Sequence, residues 1–380
     1  MKKPTRFTFV PALLILAYAL FIISPVFASS QDQPSIEVMV GQMLMVGFRG
    51  QSINDASAIA VDIRERHIGG IILFDRDVLT GSHERNISST SQVRTLTTQL
   101  QSLTPTPLFI AVDQEGGRVA RLKEAHGFTA SLPSHQQLGR DDDLERTGEQ
   151  AHRTALELAR LGINVNFAPV LDVDTNRGNP VIGGLQRSFS SDPRQVARHG
   201  IAFADAMSAA GVIPAYKHFP GHGSSHHDSH LGFTDISTTW HEDELIPFQT
   251  GVQQAAGPVM VMTGHLFHQE LDPEYPATLS PAVLNGLLRE QIGFDGVIVS
   301  DDMQMKAISE HYGLEEALQR SIEAGVDIIL FGNNLEYEPD IARRAHDMIL
   351  DMVTEGHISL ERIQKSYKRI MKLKAWLDQQ

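Results

Sequence analysis

Short, nearly continuous apolar runs alternate along the chain with longer segments in which apolar residues recur every three or four positions. Eight runs read as strands: 41–48, 68–74, 107–113, 163–169, 212–219, 258–265, 294–301 and 326–332. Helical spacing marks 57–66, 91–102, 143–161, 193–210, 281–291 and 313–324 between them, and 340–353 and 359–377 after the eighth. Ser280-Pro281 and Ser359 supply helix-opening residues. A strand that is apolar along its whole length is buried on both faces, as in a parallel sheet covered by helices. The pattern predicts an α/β fold: a single (β/α)8 TIM-type barrel, slightly irregular, with C-terminal helices. A doubly wound open sheet competes with it, but residues 47–50 after the first strand match a glycine-rich phosphate loop poorly.

A barrel demands that its chemistry sit where the strands end. Strand three ends at Asp113, strand five at Lys217-His218, strand six at His265, strand seven at Asp301-Asp302 and strand eight at Asn333-Asn334. The strand starts carry no such series. Asp302 suits the N-cap of the next helix, which leaves Asp301 to face the barrel mouth. The loops after strands three to five are long, as a substrate-binding rim requires.

Composition narrows the classes. The chain has 380 residues, 42% hydrophobic and 21% charged, which is ordinary for a globular protein. A net charge of −14 argues against a nucleic-acid partner. The absence of cysteine excludes disulfides, thiolate zinc sites, iron–sulfur clusters and cysteine nucleophiles. At the N-terminus, Lys2, Lys3 and Arg6 precede an apolar run over 9–23, and Val26-Phe27-Ala28 offers small residues for a signal peptidase. Residues 1–28 are therefore expected to be a signal peptide, with an uncleaved membrane anchor as the alternative. Residues 29–380 are expected to form an exported catalytic barrel.

The densest chemistry lies in 217–230, which holds five of the chain's 17 histidines together with Lys217 and Asp228. Asp228-Ser229-His230 sets a carboxylate two residues from an imidazole on a Gly- and Ser-rich loop. The carboxylate can fix the ring's tautomer and favour its protonated form, making a usable acid near neutral pH. A metal site is the alternative, drawing on His218, His222, His226, His227, His230 and Asp228, although no HExxH is present. Behind strand three, residues 113–121 pack two acids, two arginines and the Gly116-Gly117 pair. Adjacent glycines permit positive φ or close backbone approach, and arginine beside aspartate suits polyol recognition.

Taken together, the chain resembles glycoside hydrolase family 3, in its bacterial β-N-acetylhexosaminidase branch. The resemblance runs from about residue 40 to 332. It rests on Asp113-Gln114-Glu115-Gly116-Gly117-Arg118, Asn166-Phe167-Ala168-Pro169-Val170-Leu171-Asp172-Val173, Arg187-Ser188-Phe189, Lys217-His218-Phe219-Pro220-Gly221-His222-Gly223, Asp228-Ser229-His230 and Ser300-Asp301-Asp302-Met303. It implies a retaining β-N-acetylglucosaminidase acting on peptidoglycan fragments or chitooligosaccharides. Asp301 would be the nucleophile and His230 the acid/base, with Asp228 as its partner. Asp113, Arg121, Arg187, Lys217 and His218 would bind the terminal sugar and its N-acetyl group. No cofactor, metal, nucleic acid or obligatory protein partner is implied. Ser190 stands where the pattern has glycine, and His226 and His227 exceed it; both histidines are expected to be solvated. The site is expected to be assembled from the barrel alone.

Three other readings share these residues. A phosphorylase on the same scaffold is one, since a histidine acid does not repel phosphate. A metal-dependent barrel hydrolase and a sugar-binding envelope protein without turnover are the others.

Overall fold

Eight strands form, all parallel, in the spatial order β7-β6-β5-β4-β3-β2-β1-β8. They are β1 Leu44–Gly47, β2 Gly70–Ile72, β3 Phe109–Val112, β4 Val165–Asn166, β5 Ile213–Phe219, β6 Met260–Thr263, β7 Ile298–Val299 and β8 Ile329–Phe331. A parallel bridge between Val299 and Ile328 joins β7 to β8 and closes the circle. The computed structural model describes residues 1–6, 8, 34–129 and 132–380. Most of the expected signal peptide, residue 7 and residues 9–28, lies outside the described residues. Residues 35–380 make one compact unit, and that unit is the barrel. Among the described residues, no helix is long and apolar enough to cross a membrane.

Every predicted strand is present but shorter than its apolar run. The seventh shrinks most, to Ile298–Val299. The first, expected over 41–48, gives up Gly41 and Gln42 to the helix Ile36–Gln42 and begins at Leu44. That helix packs against the C-terminal helices Ile341–Thr354 and Leu360–Leu377. That end of the barrel is closed by Lys374. It is 1% exposed and donates to Gln42 Oε1 at 2.6 Å and Gly69 O at 2.8 Å.

The outer helices follow the sequence pattern. Leu144–Arg160 buries Thr147, Ala151, Thr154, Ala155 and Leu158, a stripe at helical spacing. Asp143 opens it by accepting from Arg146 N at 3.0 Å, and Ser359 does the same for Arg362 N at 3.2 Å on the last helix. Residues 281–291 behave differently from an ordinary helix, since Ala282–Gln291 is π-helical. One apolar core fills the barrel and the helix layer, and a small satellite of Val170, Val181 and Ile182 lies under the long loop after β4.

Two glycine positions shape the mouth. Gly116 and Gly117 have φ of 106° and 56°, which lets the loop after β3 turn sharply against Pro133. Gly223 lies so close to the backbone that an added Cβ would sit 1.7 Å from Val173 O. That contact seats the loop after β5 on the loop after β4.

Candidate active site

The C-terminal ends of the strands surround a cavity of about 470 Å³, a size suited to a small polar ligand. Asp113, Arg121, Arg187, Lys217, His218, His230 and Asp301 all line it. Asp228 stands behind His230. Its Oδ1 is 2.7 Å from His230 Nδ1 and also accepts from His230 N at 2.9 Å. Seven of the eight expected site residues therefore face one space, and the eighth orients one of the seven.

At the floor, Asp301 follows β7. Burial alone would raise its carboxyl. The rings of His218, His265 and His230, with a hydrogen bond from Asp302 N at 2.8 Å, outweigh burial and hold it at about 2. His230 sits higher, its side chain 43% exposed. Desolvation pulls its imidazole down, but the bond to Asp228 and the charge of Asp301 win, leaving it above its ordinary 6.5. Solvent at the mouth screens part of that effect. An ionised carboxylate and a readily protonated imidazole thus share one cavity.

Asp302 does not cap the following helix, Lys306–Ser309, whose N-cap is Met305. Its Oδ1 accepts from Gln304 N at 3.0 Å and Gly332 N at 2.9 Å, tying the end of β7 to the end of β8. A strand-end aspartate was legible, but a partner 30 residues away was not. Burial pushes its carboxyl up to about 6.

The wall beside Asp301 is a buried charge network. Arg187 grips Glu115 with two bonds, Nε to Oε2 at 2.8 Å and Nη2 to Oε1 at 2.7 Å. Lys217 Nζ reaches Glu115 Oε1 at 2.7 Å and Asp113 Oδ1 at 2.8 Å. Burial would raise the Glu115 carboxyl, but Arg187 and Lys217 hold it well below the usual range. Arg187 Nη1 also donates to Val181 O at 3.1 Å, and Nη2 lies 3.3 Å from His218 Nε2. His218 Nδ1 lies 2.7 Å from Asp172 Oδ2, so the ring is held between that carboxylate and Arg187. Arg187 is thus largely committed to its neighbours, whereas among the described residues Lys217 uses two of its three donors. Among the same residues Arg121 Nε is buried without a hydrogen-bond partner, while its Nη2 lies 3.5 Å from Asp113 Oδ2.

Glu115 and Asp172 were missed as site residues, and His265 was noted at a strand end without a role. Asp172 is fully buried and accepts from the backbone of His218 at 3.0 Å and of His222 at 2.8 Å. A carboxylate inside the apolar run 167–173 was the available signal, because such a charge needs partners.

The histidine-rich segment does not gather as metal ligands. His222 is flanked by Ser225 Oγ at 2.8 Å and Ser229 Oγ at 3.0 Å, so both ring nitrogens are taken. His218 is held by Asp172 and Arg187. His226 and His227 are exposed, as expected of solvated residues, with His226 Nδ1 at 3.0 Å from Asn176 Nδ2. Among the described residues, no three His, Asp or Glu side chains converge as a metal site.

Residues 35–373 match the glycosyl hydrolase family 3 N terminal domain. The chain belongs to glycosyl hydrolase family 3. Beta-hexosaminidase A of Pseudoalteromonas piscicida is 36% identical, over 94% of this chain and 64% of the relative. Beta-hexosaminidase LpqI of Mycobacterium tuberculosis is 34% identical, over 88% of this chain and 81% of the relative. The solved family 3 β-N-acetylglucosaminidase from Paenibacillus sp. str. FPU-7 superposes with a TM-score of 0.82 at 38% identity. That match covers 91% of this chain and 63% of the Paenibacillus chain. This chain therefore spans somewhat under two thirds of the length of two of these three relatives.

Proposed function

We propose that this family 3 chain is an exported, retaining exo-β-N-acetylglucosaminidase. Asp301 attacks the anomeric carbon while His230 gives its proton to the departing oxygen. The C1–O bond breaks and a C1–Oδ ester to Asp301 forms. His230, now neutral, takes a proton from water, whose oxygen displaces Asp301 and releases the sugar. The observation that carries this reading is the opposed tuning of two groups in one cavity: Asp301 held ionised, and His230 raised by Asp228. Groups whose environments push their protonation apart divide into nucleophile and acid. Arg121 Nε and the third donor of Lys217 suit an N-acetyl carbonyl and a ring hydroxyl. The names of the relatives point to the same substrate class.

Two guanidinium groups at the mouth bear on the leaving portion. Arg76 and Arg118 line the cavity and are exposed. Among the described residues neither has a carboxylate partner, and the Arg118 side chain bonds only Gly184 O, at 3.1 Å. Uncompensated cations at the mouth of an acidic protein favour an anionic leaving portion, as in peptidoglycan fragments, over a neutral chitooligosaccharide. They would serve an incoming phosphate equally, which keeps the phosphorylase reading in play.

The test is turnover of two aryl β-N-acetylglucosaminides with matched leaving groups, one neutral and one carboxylated, with and without phosphate. Free N-acetylglucosamine, lost in Asp301→Ala and released faster from the carboxylated substrate, supports the proposal. Sugar 1-phosphate would identify a phosphorylase. No release from the folded wild type would sink the enzymatic reading.

A further inference from the structure

The loop carrying Asp228 and His230 is pinned at its root. Trp240 Nε1 donates to Pro220 O at 3.1 Å, and Asn179 Nδ2 donates to His222 O at 2.7 Å. Beneath that root lies a carboxyl group with no part in the chemistry above. Glu244, in the short helical turn Glu242–Leu245, is 1% exposed. Its Oε1 accepts from His241 N at 3.4 Å, while among the described residues Oε2 is buried without a hydrogen bond of full geometry. It is wedged against the root: a Cβ added to Gly221 would sit 2.9 Å from Glu244 Cβ and 3.0 Å from Oε2. Gly221 has φ of 128°, so no other residue fits there easily.

Among the described residues the Ser224 hydroxyl, on the same loop, is also buried without a hydrogen bond of full geometry. Ser224 approaches Glu244 with both its hydroxyl and its backbone N–H, and both favour the carboxylate form. Buried oxygens left unpaired are destabilising. Among the described residues Glu244 has no cationic partner, and a carboxyl buried without one favours its neutral form, which can donate from Oε2 to Ser224 Oγ. An ionised Glu244 would instead set a second buried negative charge near Asp172, whose carboxylate already holds His218 and His222.

We propose that Glu244 acts as a neutral acid that positions the Asp228–His230 loop through Ser224 and Gly221. It touches no substrate, so it is a positioning residue, and its importance for turnover rests on the catalytic reading above. Burial, reinforced by Asp172, pushes its carboxyl up to about 7. Ser224 and the His241 backbone face it from the other sides and favour the ionised form. The anchor therefore weakens as pH rises through neutrality.

Trp240 reports on this root without any substrate. The chain has two tryptophans, so Trp376→Phe leaves Trp240 as the sole fluorophore. In that background, fluorescence should titrate with a midpoint near 7, and the transition should vanish in Glu244→Gln, which stays neutral at every pH. His268 lies edge-on to Trp240 at 5.0 Å, but any change it causes persists in Glu244→Gln. In the Trp240 background, the same titration in both proteins overturns the proposal. In the otherwise wild-type enzyme the alkaline limb of kcat/KM should carry two ionisations, those of Glu244 and His230, and Glu244→Gln should reduce it to the shallower limb of His230 alone. Glu244→Leu should lower kcat at least tenfold with KM little changed. A limb of unchanged steepness in Glu244→Gln also overturns the positioning role. If the fluorescence transition behaves as expected but no glycoside is turned over, the anchor stands and the catalytic reading fails.

Discussion

Removing the Glu115 carboxylate probes the wall of the site most sharply. Glu115 is 1% exposed and receives two bonds from Arg187 and one from Lys217. Glu115→Ala leaves the Lys217 ammonium, 2% exposed in its side chain, with Asp113 alone. It leaves the Arg187 guanidinium with no carboxylate. Breaking a buried ion pair by deleting one partner costs about 3–5 kcal/mol, a large share of the ~5–15 kcal/mol that holds a native protein together. At roughly 2 °C per kcal/mol for a large domain, the melting temperature should fall by roughly 6–10 °C. Glu115→Gln preserves the shape but not the charge and should fall between. The pH dependence has a definite sign. The Glu115 carboxyl is held below its unfolded value, so its contribution is complete above about pH 4.5 and lost as the medium acidifies further. Urea unfolding of wild type and Glu115→Gln at pH 7 and pH 3.5 should show a gap that narrows on acidification. A Glu115→Ala protein as stable as wild type, or a gap that widens in acid, would refute the reasoning.

Two other perturbations test the frame. Burial pushes the Lys374 ammonium down to about 7, so wild type should gain stability relative to Lys374→Met as pH rises from 7 to 9. The gain is at most about 1.4 kcal/mol per pH unit, and a difference in urea stability that stays constant or shrinks would contradict it. Gly223→Ala forces a methyl into Val173 O and should cost about 1–3 kcal/mol while displacing His222; unchanged melting temperature and activity would show that this close approach matters little.

The strand sites were readable because parallel strands are apolar from end to end, so the polar residue that ends each run stands out. Asp113, Lys217, His218 and Asp301 announced themselves in this way. Asp228 and His230 were readable because a turn places them together; Leu231 N donates back to Asp228 O at 2.9 Å. What could not be read were partnerships across strands. Glu115 lies 72 positions from Arg187 and Asp172 lies 46 from His218. The alternation of strands and helices specifies the circle but not which side chains meet inside it. The same limit hid the helix Ile36–Gln42, since only its packing on the C-terminal helices distinguishes it from a strand.

The most direct measurement is the fate of Asp301 during turnover. A slow 5-fluoro glycoside of N-acetylglucosamine, mixed with the wild type and digested for mass spectrometry, should leave one sugar on the peptide containing Asp301. Proton NMR of the first product formed should show retained β configuration. Turnover with an inverted first product and no adduct on that peptide would contradict the covalent role of Asp301.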